Sequence, residues 1–81
     1  MADKFNSIYR DHILQHIVNH HIDWGRKIAE KDTREERFKA AKKLVVMAVR
    51  ETKDPYMNSE YERNTVAWQL YFKAKREGYF I

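Results

Sequence analysis

Four histidines fall close together near the start of the chain: His12, His16, His20 and His21. The first three recur at every fourth position, so a helix would carry them along one side, near Asp23 and Lys27 and opposite Ile17. Two imidazoles four residues apart on a helix can share one Zn²⁺, and Asp23 would supply a third ligand. No glutamate stands between them in the His-Glu-x-x-His order that gives zinc proteases their general base. The candidate metal stripe is therefore His12, His16, His20 and Asp23. The same pattern also describes an ordinary polar face, and we expect no cofactor. His21 turns toward the apolar side and reads as a core or boundary histidine.

Other catalytic chemistry has little to work with. The chain has no cysteine, which removes thiol nucleophiles, disulfides, zinc fingers and iron–sulfur clusters. A Gly-rich phosphate loop and a Gly-x-Ser-x-Gly elbow are both missing. Ser7 and Ser59 fall at expected helix starts, where capping accounts for them. Most carboxylates have lysine or arginine at helical spacing, which suits surface pairing. The expectation is a protein that binds rather than an enzyme.

Basic residues offer a binding surface. The net charge is +4, and its excess is confined to residues 26–53, where ten basic side chains face five acidic ones. Lys39, Lys43 and Arg50 share one side of a helix, with Lys42 adjacent and Val46 between them. That side lies opposite Phe38, Ala41 and Leu44, so it should face water. Arg26, Lys27 and Lys31 before the turn, and Arg34 and Arg37 after it, extend the surface. A localised positive stripe suits phosphates or an acidic protein surface. It also suits a solubilising face, and Glu36 and Glu51 offset part of it.

Aromatic residues crowd the C-terminal third: Tyr56, Tyr61, Trp68, Tyr71, Phe72, Tyr79 and Phe80. Beside arginine or lysine such rings can stack on unpaired bases. Helical spacing of Tyr61, Trp68 and Phe72 assigns those three to packing. Tyr79, Phe80 and Ile81 follow Gly78, so they either fold back on the domain or serve as anchors in a partner. Fold-back is the stronger expectation.

The elements that must position these residues are helical. With two glycines, one proline and no period-two stretch, the chain reads as one all-α domain over 1–81. A first helix spans about 4–30, capped by Asp3. Ile13, Ile17, His21, Trp24 and Ile28 lie on its inner face, broadened by Val18 and Ile22, and it runs on through Gly25. Thr33-x-x-Glu36 is a capping box opening a second helix over 34–53, with Phe38, Ala41, Leu44, Val45 and Ala48 inward. Asp54-Pro55 ends it. A third helix over about 56–77 opens at Pro55 or through Ser59-x-x-Glu62, shows an aromatic face of Tyr61, Thr65, Trp68, Tyr71 and Phe72, and stops at Gly78. Short links predict a three-helix bundle of antiparallel neighbours, with helix-turn-helix-like packing of the last two as a variant.

No apolar run approaches the roughly 20 residues that cross a bilayer. MADKFNSIYRDH lacks the apolar core of a signal peptide. A cytoplasmic, soluble regulator or inhibitor is the leading expectation. Its partner would be a protein or a protein–RNA complex with an acidic surface, met by Lys39, Lys42, Lys43, Arg50, Arg26, Lys27, Arg34 and Arg37 with Tyr79 and Phe80 as anchors. Direct RNA or DNA binding is the alternative. A structural subunit of a larger helical assembly, homo-oligomers included, is a third.

Overall fold

The computed structural model describes residues 2–81, with side chains described from Ser7 onward. Four helices follow one another: α1 (Ala2–His20), α2 (Trp24–Ala29), α3 (Arg34–Thr52) and α4 (Glu60–Arg76). Among the described residues there is no strand. The all-α bundle read from the sequence is the architecture observed. α3 and α4 pack on each other and on both α1 and α2.

One expected helix is divided. The chain leaves helical geometry at residues 21–23 and re-enters it at Trp24, upstream of Gly25. Seven residues separate Ile17 from Trp24, about two turns, so both still face inward across the break. Ile13, Ile17, Trp24 and Ile28 are all buried, as their spacing predicts. Ile22 is not: the break leaves it 81% exposed instead of broadening the stripe. The helix also starts at Ala2, so Asp3 lies in its first turn rather than capping it. Ser7 lies inside α1.

Gly25 has a role other than punctuation. It is buried within α2, and a Cβ there would stand 2.4 Å from the ring of Tyr79. The missing side chain is what allows the C-terminal tail to lie on α2.

The later helix boundaries follow their capping chemistry. Thr33 is extended and its hydroxyl accepts the Glu36 N–H at 3.1 Å. The same hydroxyl donates to the Glu36 carboxylate at 3.0 Å. At the other end Lys53 adopts the left-handed conformation (φ 53°), and the Asp54 N–H returns to the Val49 carbonyl. Ser59, not Pro55, opens α4, accepting the Glu62 N–H at 3.1 Å. Gly78 (φ 85°) closes α4 in a Schellman motif: Gly78 N–H to the Lys75 carbonyl, Tyr79 N–H to that of Ala74.

Ala41, Leu44, Val45 and Ala48 of α3 are buried, and Phe38 packs half-buried beside them. The inner face of α4 meets its aromatic one at Tyr71, with Trp68 half-buried against the core, but not at Tyr61 or Phe72. Glu62, Val66, Ala67, Leu70, Tyr71 and Ala74 are buried, whereas Tyr61 is 73% exposed and Phe72 is exposed too. Small side chains at Ala67 and Ala74 of α4, with Ala41 and Ala48 of α3 in the same core, suit a close approach of the two backbones. Bulky rings at those positions would hold the helices apart. Met57, fully buried, brings the α3–α4 link into the core, and Tyr56 of that link stacks on Tyr9 of α1 at 4.0 Å.

Candidate functional site

The basic residues separate into two groups once the helices are in place. Lys27 and Lys31 from α2 and its C-terminal turn face Lys39 and Lys43 of α3 across a groove of about 500 Å³. Ala40, Leu44 and Met47 line it as well, with Glu30 and Glu36. α2 is too short to cover this side of α3, which leaves Met47 exposed. Among the described residues none of the four lysines lies within ion-pair distance of a carboxylate. Arg50 and Arg26 are exposed and do not line the groove.

The other basic residues of α3 are engaged inside the molecule. Lys42 donates to Glu60 of α4 at 2.8 Å. That bond, with the attraction of the ammonium, holds the Glu60 carboxyl below its usual range. Arg34 lies over the Trp68 ring at 5.1 Å, and Arg37 over the Phe80 ring at 4.7 Å. Such cation–π contacts orient a guanidinium toward the protein's own aromatic rings. Lys42, Arg34 and Arg37 therefore do not join Lys39 and Lys43 as one open surface.

The aromatic residues form the partner layer to these arginines. Phe38 and Trp68 stack at 4.2 Å, and Phe72 continues the row at 5.9 Å from Trp68. Tyr79 leans on Trp24 at 5.5 Å and Phe80 on Tyr71 at 5.0 Å, so the tail folds back on the bundle. Ile81 projects into solvent.

The expected metal stripe is rearranged by the break after α1. His12 and His20 are exposed, and Asp23 is an exposed residue at the start of α2 whose side chain makes no capping bond. His16 and His21 instead meet Glu51 of α3, each Nε2 2.8 Å from the same carboxylate oxygen, Oε1. Their hydrogen bonds, led by that of His21, hold the Glu51 carboxyl below its ordinary value. His20 stacks on His16 at 4.5 Å. Sequence spacing placed His16 and His20 together. It held no signal for Glu51, which lies thirty residues beyond His21.

Arg10 and Glu62 make a second unforeseen pairing, joining α1 to α4 at 3.0 Å with little exposure. Only Lys73–Glu77, among the described ion pairs, has the helical i,i+4 spacing expected of the carboxylates generally. No helix among the described residues is long and apolar enough to cross a membrane. No family model matches the chain, and no curated protein or solved structure matches it either.

Proposed function

We propose that this protein is a non-catalytic regulator or inhibitor that holds an acidic, partly apolar segment of a protein or ribonucleoprotein in the groove between α2 and α3. The carrying observation is the groove: Lys27, Lys31, Lys39 and Lys43, without ion pairs among the described residues, beside Ala40, Leu44 and Met47. Lysines on both walls attract and orient an acidic chain as it approaches. Apolar contact with Leu44 and Met47 then slows its departure, methionine adapting its shape to what it meets. The mechanism is occupancy, in which the bound segment is withheld from whatever else would engage it.

Glu30 and Glu36 favour a protein segment over a bare phosphate backbone. Carboxylates in the lining repel a continuous row of phosphates, whereas a peptide can present a donor or a cation to each. One observation favours the second reading, direct RNA or DNA binding. The Phe38–Trp68–Phe72 row beneath Arg34 resembles a base-stacking platform, with Phe72 exposed.

Affinity capture from extract of the source cells, with and without nuclease, separates the two. The groove reading expects a stoichiometric protein retained after nuclease and lost by the Lys39→Ala/Lys43→Ala variant, but kept by Lys42→Ala. A capture abolished by nuclease and indifferent to Lys39 and Lys43, yet lost with Phe72→Ala, would move the function to the aromatic row.

A further inference from the structure

Three pieces of chain converge where the end of α1 meets the end of α3. His16 comes from α1, His21 from the turn that follows it, and Glu51 from the last turn of α3. We propose that His16, His21 and Glu51 form a three-ligand site for a divalent transition-metal ion, Zn²⁺ foremost, that fastens the α1–α2 turn to α3. This site is separate from the α2–α3 groove and does not depend on that reading.

The donor set suits the ion. Two imidazole nitrogens and one carboxylate are a common zinc triad, with a fourth position left for water or a partner's side chain. All three candidate ligand atoms lie within 4.8 Å of one another. Ligands about 2.0–2.1 Å from a tetrahedral ion sit roughly 3.3 Å apart, so seating one draws the two imidazoles toward each other while the carboxylate, 2.8 Å from each Nε2, moves slightly outward. Glu51 is the most exposed of the three at 43%, and His21 sits in the turn at residues 21–23 rather than in a helix.

In the structure each Nε2 directs a hydrogen at Oε1. A neutral ring that takes the metal at Nε2 keeps its proton by moving it to Nδ1, and a charged ring gives one to water. Among the described residues the second oxygen of Glu51 has no hydrogen-bond partner, leaving it available to the ion. The location also has a structural use. Residues 21–23 interrupt a helix that hydrophobic spacing would continue, and a ligand at His21 pins that interruption to α3. Small domains without disulfides commonly draw stability from a metal, and this chain has no cysteine to draw on.

The test is calorimetric titration of the metal-stripped protein with zinc chloride, alongside thermal melts with zinc and with chelator. We expect one ion per chain and a higher melting temperature with zinc. Glu51→Gln and His21→Asn should each weaken binding by about tenfold or more, since even outer-shell partners of a ligand are worth that much. His12→Ala should bind as the unaltered chain does. In the unaltered protein, zinc should shift the imidazole resonances of His16 and His21 and leave those of His12 in place, a readout that needs no variant to fold. Absence of both heat and melting shift would overturn the proposal. So would binding that survives Glu51→Gln but is lost with His12→Ala, which would return the ion to the exposed stripe of α1.

Discussion

Two sides of α3 carry the same kind of charge and put it to different use. Toward α4 and the C-terminal tail, Lys42 is tied to Glu60, Arg34 lies over Trp68 and Arg37 over Phe80. Toward α2, Lys39 and Lys43 face Lys27 and Lys31 across an open groove and pair with nothing among the described residues. The difference comes from the length of the neighbouring element. α4 and its tail are long enough to present aromatic rings and a carboxylate along that side of α3, whereas α2 spans six residues and leaves Met47 uncovered. Positive charge on a helix is thus an incomplete guide to a binding face. What distinguishes a site is charge with no partner inside the fold.

Breaking the engaged side should cost stability, and breaking the open side should not. The largest effect is expected outside α3, at the most enclosed pair of the molecule, Arg10–Glu62 between α1 and α4, where the side chains keep 14% and 11% exposure. Glu62→Gln leaves the guanidinium without its counter-charge and should lower unfolding free energy by about 2–3 kcal/mol, somewhat under the roughly 3–5 of fully buried pairs. Urea unfolding measures it. Phe80→Ala comes next. It removes a half-buried ring from between Arg37 and Tyr71, at a cost of about 2 kcal/mol, below the roughly 3–5 of fully buried phenylalanines.

A double-mutant cycle between α2 and the tail sharpens the comparison further. Gly25→Ala gains about 1 kcal/mol of helix propensity. It also displaces Tyr79 from Trp24, a contact worth about 0.5–1.5 kcal/mol beyond the ring area it buries, so the single variant should be slightly less stable. In a Tyr79→Ala background the same change should become stabilising. A Gly25→Ala effect of equal sign in both backgrounds would mean that the tail does not rest on α2.

On the open side, Lys39→Ala with Lys43→Ala should alter stability by no more than about 0.5 kcal/mol each, as exposed positions without partners do. A larger loss would show that these lysines are engaged after all. The smallest effect concerns pH. The Glu60 carboxyl titrates below its ordinary 4.5 because Lys42 bonds to its charged form. A lowered folded value means that its contribution is present above the unfolded pKa and is lost as pH falls through the folded one. Lys42→Ala should return the Glu60 titration, followed by NMR, toward 4.5.

Much of the fold could be read from spacing. The inner faces of α1, α2 and α3 follow Ile13–Ile17–Trp24–Ile28 and Ala41–Leu44–Val45–Ala48, and the caps at Thr33, Ser59 and Gly78 lie where their chemistry puts them. The break at 21–23 was not legible. His-Ile-Asp carries no strong breaker, and a seven-residue step from Ile17 to Trp24 looks alike in a continuous helix and in an interrupted one. The inner face of α4 was misread at Tyr61 and Phe72 because ring size was weighed above the small residues of the α3–α4 core. Partition of the basic residues depended on which helix lies beside which, and periodicity within one helix does not contain that. His21–Glu51 and Arg10–Glu62 are likewise contacts between distant stretches of chain.

The central claim is that the open side, and not the engaged one, meets the partner. Amide hydrogen exchange of the protein, alone and with its captured partner, tests that directly. Added protection should appear at residues 27–31 and 39–47, with α4 exchanging as before. Protection gathered instead along residues 61–72, with the groove unchanged, would contradict the account.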